Sequence, residues 1–341
     1  MTIRFIRRSR RAAAVAAVCA AALVLAGCGG RQQAEPAAPG GPTDAASCTA
    51  SPGQITIATG NSTGVYYALG GGLASLISGN TPIKATAAET GASVQNIQQL
   101  VAGEYNIAFS LADTAADAVA GTGSFTAPQD IQALARIYSN YTHVVVTKAS
   151  GITSMADFRG KRISTGSPKS GTEVIANRLL QAAGLNPETD VQPQRLELGK
   201  TVDGMKDGSI DGFVWSGGLP TGGVTDLFTS MRDQVQFIDI TPLLPAMKDI
   251  NPVYAQGTVP AAAYGTPADV PTIVVPNLLL VRKDFPAGDA CAITKLIFEK
   301  KADLEKVHVA AKELDPKVAL DTAPVELAPG ARTALEQAPA S

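Results

Sequence analysis

From residue 55 onward the apolar positions follow two alternating spacings. Short β-branched runs such as Ile55-Thr56-Ile57-Ala58 precede apolar residues three and four apart, here Val65, Leu69, Leu73 and Leu76/Ile77. The first spacing fits a strand and the second one face of a helix. The unit recurs at 83–87 with Val94, Ile97 and Val101, and at Ile107-Ala108-Phe109 ahead of an alanine-rich helix starting near Thr114. A second series begins at Arg162-Ile163-Ser164 and continues in a helix bearing Val174, Ile175, Leu179 and Ala182, which stops at Gly184 with Asn186-Pro187 beyond. Gly212-Phe213-Val214 and Phe237-Ile238-Asp239 extend that series. Alternation of this kind predicts an α/β fold with mostly parallel sheets, and two series predict two lobes around a cleft. His143-Val144-Val145-Val146 and the run 272–281 are long β-branched segments suited to crossing between lobes. Residues 54–152 and 272–341 then form one lobe and 153–271 the other, with 293–314 helical.

The start of the chain has a different pattern. Arg4, Arg7, Arg8, Arg10 and Arg11 occur without an acid and are followed by sixteen uncharged residues from Ala12 to Gly27. This reads as a signal peptide, since a membrane span needs about 20 apolar residues. It ends in Leu25-Ala26-Gly27-Cys28, the small-residue box that precedes a lipidated cysteine. The mature chain is therefore expected to begin at a lipid-bearing Cys28, anchored to the outer face of the cell membrane. Arg10-Arg11 after Ser9 does not distinguish general from twin-arginine export. Residues 28–53, rich in Gly, Pro, Ala and polar groups, read as a flexible tether reaching roughly 25–30 Å.

Cleavage changes the charge. Losing five of the 28 basic residues leaves 23 against 30 acidic ones, and the one Arg-rich run goes with the signal, so a nucleic-acid partner is not expected. The 45% hydrophobic and 17% charged content suits a globular protein of two domains. Of the four cysteines, Cys19 leaves with the signal and Cys28 carries lipid. Cys48 and Cys291 remain on the oxidising side, either bridged or as two separate buried thiols, and the rarity of unpaired thiols in exported proteins favours the bridge.

Several strand-to-helix turns carry hydroxyls where ligands bind in open parallel sheets. They are Thr59-Gly60-Asn61-Ser62-Thr63-Gly64, Glu89-Thr90-Gly91-Ala92-Ser93, Ser110-Leu111-Ala112-Asp113, the stretch 164–173, and Trp215-Ser216-Gly217-Gly218. One such turn is normally only a helix cap, and Asp113 reads as a cap. Five together point to a small anion held by backbone N–H groups and hydroxyls, with no arginine needed. Tyr66 and the sole tryptophan, Trp215, stand beside these turns and offer flat apolar faces with one donor each. Tyr67 is as readily a core residue, and Lys169 is either a solvated helix-start lysine or a charge for a second carboxylate.

Other chemistry is weaker. Gly60-Asn61-Ser62-Thr63-Gly64 fits the G-x-S-x-G of a hydrolase elbow with Ser62 as nucleophile, but nothing brings His143 or His308 to it. In Gly166-Ser167-Pro168-Lys169-Ser170-Gly171-Thr172, Thr172 stands where a phosphate loop has its lysine. Two histidines and no cysteine pair at ligand spacing argue against a His/Cys metal site, a carboxylate-only site stays open, and no cofactor is expected.

TGNSTGVYYALGGGLA at 59–74, ETGASVQNIQQLVAGEYNIAFSLAD at 89–113 and ALARIYSNYTHVVV at 133–146 resemble the TAXI family of solute-binding receptors for TRAP-type transporters. So do MADFRGKRISTGSPKSGTE at 155–173, DGSIDGFVWSGGLPT at 207–221 and VPTIVVPNLLLV at 270–281. The resemblance covers Ile55 to Gln337. It implies a type II periplasmic-binding-protein fold whose lobes close on glutamate, 2-oxoglutarate or a similar dicarboxylate for delivery to an ion-gradient-driven permease. By position it implies ligand contacts from Asn61, Ser62, Thr63, Tyr66, Thr90, Ser93 and Ser110 on one lobe. Ser167, Ser170, Gly171, Thr172, Trp215 and Ser216 would face them. Thr63 stands where glycine is frequent, Ala68 where proline is common, and Trp215 where smaller residues are usual. The last implies a shorter cavity or a ligand with an apolar end. A receptor serving a sensor protein would share all these features.

Overall fold

The computed structural model describes residues 48–338, so the expected signal peptide, Cys28 and nearly all of the tether lie outside the described residues. Strands β1 (Gly53–Ala58), β2 (Ile83–Ala88) and β3 (Ile107–Leu111) alternate with helices α1 (Val65–Asn80), α2 (Ser93–Val101) and α3 (Ala112–Ala120). After the long β4 (Ile131–Thr147) the rhythm resumes with β5 (Arg162–Ser164), α4 (Gly171–Ala182), β6 (Gln192–Gln194), α5 (Leu198–Asp207), β7 (Gly212–Gly217) and α6 (Gly222–Met231). Next come β8 (Val235–Phe237), α7 (Leu244–Ile250), β9 (Ala255–Val259), α8 (Ala261–Tyr264) and β10 (Val270–Arg282). Helices α9 (Ala287–Glu299), α10 (Lys301–Val307), α11 (Pro316–Ala319) and α12 (Pro329–Glu336) close the chain.

The strands join in the order β2-β1-β3-β10-β4-β7-β5-β6, with β8 on β4 and β9 on β10. Pairing is parallel within β1–β3 and within β5–β7, giving two parallel wings. The long strands between them, β4 and β10, pair antiparallel to each other and to the inner strand of each wing. The expected crossing strands are therefore present, but β4 begins at Ile131, twelve residues before His143. Polar residues at Asn140 and Thr142, both buried, hide its earlier half from a search for apolar runs. The strand expected at 237–239 is instead Val235–Phe237, the alanine-rich helix starts at Ala112, and the helical end breaks at Lys300 and again at His308.

Helix α1 shows how local sequence fixes this arrangement. Val65, Leu69, Leu73 and Ile77 all point inward, each contributing about 1.5–3 kcal/mol of apolar burial. Gly70 lies over Thr59, where any Cβ would collide with the threonine methyl, so a glycine lets the helix approach the end of β1. The larger core cluster runs through both wings, from Ile57 and Leu134 to Ile163 and Leu179. A smaller one gathers Val145, Leu198, Phe213, Leu227 and Tyr264 under the second wing. Cys48 and Cys291 are disulfide-bonded, with Cα atoms 4.8 Å apart, joining the segment before β1 to α9.

Candidate functional site

The loops leaving the carboxyl ends of β1, β2, β5 and β7 meet between the wings. They line a cavity of about 30 Å³. The N-termini of three helices lie on its lining, at Gly64-Val65 of α1, Ala92-Ser93 of α2 and Ser170-Gly171 of α4. Neither α1 nor α2 has a side-chain cap; Gln95 N in the first turn of α2 donates to the Lys169 carbonyl, and the N–H groups ahead of it in α2 and at the start of α1 are available to another acceptor. In α4, Ser170 Oγ accepts from the Glu173 N–H at 2.9 Å. No charged side chain lines the cavity among the described residues. The partial positive charge of helix ends is its main electrostatic feature.

Two hydroxyls add to the polar lining. Tyr138 Oη and Ser216 Oγ are buried there, and neither has a hydrogen-bond partner among the described residues. Tyr138 is 3% exposed and Ser216 6%, so each hydroxyl is taken from bulk solvent and calls for a partner in the cavity. Beneath the cavity a chain of side chains crosses the sheet. Tyr66 Oη donates to Asn277 Oδ1, and Asn277 Nδ2 donates to Asn140 Oδ1 at 2.8 Å. Asn140 Nδ2 in turn donates to the Ser216 carbonyl at 3.1 Å. Burial pushes the Tyr66 pKa well up, so its hydroxyl remains a donor.

Of the thirteen expected ligand contacts, Asn61, Tyr66, Ser93, Ser170, Gly171, Thr172, Trp215 and Ser216 line this cavity. Several already serve the fold: Ser93 Oγ accepts from Leu111 N at 3.1 Å, and Thr172 Oγ1 accepts from Ser216 N at 3.2 Å. Ser62 and Thr63 lie elsewhere, on an open outer groove of about 660 Å³ shared with Asp203, Asp226 and His308. Thr90, Ser110 and Ser167 do not line the cavity. Thr90 Oγ1 donates to Asn96, Ser110 Oγ to the Leu111 carbonyl, and Ser167 pairs with Asn61 across the wings. Tyr138 and Asn140 were not expected. They stand two apart on β4, on one face of a strand whose beginning the apolar pattern hides.

The rival chemistries lose support. His143 is fully buried and lies in β4 paired opposite Trp215. Its Nδ1–H donates to the Tyr141 carbonyl and its Nε2 accepts from Tyr264 Oη, both at 2.8 Å. Burial lowers its pKa to about 4, so the ring is neutral. His308 shares the outer groove with Ser62, but Nε2 donates to the Pro220 carbonyl and Nδ1 accepts from Ala310 N, each at 3.1 Å. Neither ring is free to activate Ser62. Lys169 is exposed and off the cavity, and no group of three metal-binding side chains occurs among the described residues. Asp113 is more than a cap. Besides accepting from Thr114 N, it meets Arg178 and Tyr254 in a buried cluster that includes Asp117.

Solved structures share this architecture at low identity. A binding-protein component of an ABC phosphonate transporter from Pseudomonas aeruginosa matches with TM-score 0.52 at 12% identity, over 76% of this chain and 79% of that one. A Prochlorococcus marinus protein solved with methylphosphonate gives 0.51 at 10%, over 76% and 90%. MatC from Rhodopseudomonas palustris, solved with malate, gives 0.50 at 13%, over 84% and 95%. The fold is thus that of the periplasmic binding proteins. A sequence profile of the NMT1-like family matches residues 57–337, nearly all of the described chain, and the protein belongs to that family.

Proposed function

We propose that the protein is a solute-binding receptor of a transport system, without enzymatic activity, which captures a small anion between two closing lobes. The observation that carries this reading is the meeting of three helix N-termini and two buried hydroxyls on one cavity where, among the described residues, the hydroxyls have no partner and no charged side chain contributes to the lining. Such a site favours a carboxylate or a comparable anion over a cation. Methylphosphonate and malate, named for two of the similar structures, are small anions as well. Glutamate, 2-oxoglutarate or a similar dicarboxylate is the proposed solute, and residues 54–152 with 272–341 the lobe that meets 153–271. The sequence resemblance favours a TRAP-type permease as the recipient, with a lipid on Cys28 holding the receptor at the outer face of the cell membrane. Uptake that persists without ATP and collapses with the ion gradient is expected of that partner, and ATP-dependent uptake would assign an ABC-type one.

The direct test uses protein unfolded and refolded to strip carried solute. With solute at about 100 times its Kd, native-state binding adds about 2.7 kcal/mol, a rise in Tm of several degrees. Glutamate, 2-oxoglutarate or succinate should produce it. Ser216→Ala should reduce it, while Ser62→Ala, which alters only the outer groove, should not. A rise with neutral compounds alone would reject the anion site.

A further inference from the structure

Two spaces of very different size lie beside the N-terminus of α1. Gly64 and Val65 line both the cavity and the outer groove, whereas Trp215 lines only the cavity. A Cβ on Gly64 would stand 3.6 Å from Trp215 Cζ2 and 3.7 Å from Cη2, so the six-membered edge of the indole closes against the N-terminus of α1. The ring is held from behind. Its Nε1 donates to Thr221 Oγ1 at 3.2 Å, and Thr221 Oγ1 itself donates to the Gly218 carbonyl at 2.7 Å. Any Cβ at Gly217 would collide with Nε1, so glycine there makes room for the indole. Thr221 N donates to Tyr264 Oη, which ties the support to His143 in the second core.

We propose that Trp215 sets the length of the solute by closing the anion-binding cavity off from the outer groove. The inference rests on the anionic-solute reading and refines it. A solute seated on the helix N-termini must end at the indole. Without the indole its far end would run past Gly64 into a groove bearing Asp203 and Asp226. Asp226 is paired with Lys206 at 2.6 Å, but Lys206 does not line the groove, and Asp203 does. The uncapped start of α6 at Gly222-Gly223 also lines the groove, but the full carboxylate charge of Asp203 exceeds the partial charge of a helix end, so the extended site favours a far end that is an amine rather than a second carboxylate.

The test compares succinate, adipate and 6-aminohexanoate by titration calorimetry on refolded wild type, Trp215→Ala, Trp215→Leu and Trp215→Phe. Wild type is expected to bind succinate at least about tenfold more tightly than either six-carbon acid, the scale of discrimination a shape-limited pocket gives. Trp215→Ala and Trp215→Leu should bind 6-aminohexanoate about tenfold better than wild type does and prefer it to adipate, while Trp215→Phe keeps the wild-type order. A merely structural tryptophan would weaken all three acids together and leave their order unchanged. That unchanged order, or equal binding of short and long acids by wild type, overturns the length limit alone. No heat with any acid in any of the four proteins overturns the anionic-solute reading, and the length limit with it.

Discussion

In each wing the earliest strand lies in the middle, the second outside and the third inside, yet the two wings furnish the cavity differently. In the first, a single side chain ties the turns together. Asn96 donates to the Thr59 carbonyl at 2.7 Å and to the Phe109 carbonyl at 2.8 Å, and accepts from Thr90 Oγ1. This leaves the starts of α1 and α2 without side-chain caps and facing the cavity. In the second wing the hydroxyls are used locally, by the Ser170 cap and by Thr172 holding Ser216 N, and the large group is an indole. One wing presents donors and the other supplies a stop. Shared topology fixes where a ligand sits, and the side chains at the turns decide what it meets.

The strongest way to break this comparison is to cut the charged link between the wings. Arg178 of α4 reaches Asp113 at 3.1 Å and Asp117 at 2.6 Å, both on α3, and donates to Tyr254 Oη at 3.0 Å. Burial works against the guanidinium charge, but Tyr254, Asp113 and Asp117 outweigh it and hold the pKa high. Arg178→Met would leave two buried carboxylates without their counter-charge, at a cost of roughly 3–5 kcal/mol. Urea unfolding should show that loss. A change below about 1 kcal/mol would mean that the wings hold together without the cluster.

A smaller effect tests the support of the second wing. His143 has its pKa lowered to about 4 by burial, against 6.5 in an unfolded chain. The neutral ring's contribution is complete above pH 6.5 and is lost as pH falls toward 4, because the unfolded chain takes up the proton first. The decline over that window should be roughly 3 kcal/mol and should vanish in His143→Gln. Urea midpoints at pH 7.5, 5.5 and 4.5 measure it. An equal slope in wild type and variant would remove His143 from the account, along with the chain from Tyr264 to Thr221 behind Trp215.

Both wings were legible because strand and helix periods alternate cleanly around Ile57, Leu73, Ile163 and Leu179. The cavity was legible as a set of turns, since Gly, Ser and Thr at strand ends mark helix starts whatever lies beyond them. Which hydroxyls face the cavity was not, because Ser167 meets Asn61 only once the wings come together, while Thr90 and Ser110 turn to the nearby Asn96 and Leu111 carbonyl in a way that residue type alone does not report. Tyr138 and Asn140 were hidden inside β4, where buried polar groups dilute the apolar alternation. The Arg178 cluster joins residues up to 141 positions apart, a separation no local pattern reports.

The smallest expected effect has the opposite sign. Ala92, the residue before α2, has φ 80° and ψ −150°, a conformation that glycine adopts easily and alanine does not. Its N–H donates to Thr90 Oγ1 at 3.0 Å, and three residues on, Gln95 N donates to the Lys169 carbonyl of the second wing at 3.0 Å. The strain is therefore held between a turn of the first wing and a contact with the second. Such a residue costs about 1–3 kcal/mol, and glycine returns roughly 0.5–1 of the relief through its greater unfolded freedom. Ala92→Gly should thus raise stability by about 1 kcal/mol, readable as a higher urea midpoint. If solute affinity falls while stability rises, the strain serves to aim the α2 N-terminus at the cavity; if affinity is unchanged, the donors of the first wing are positioned by Asn96 alone.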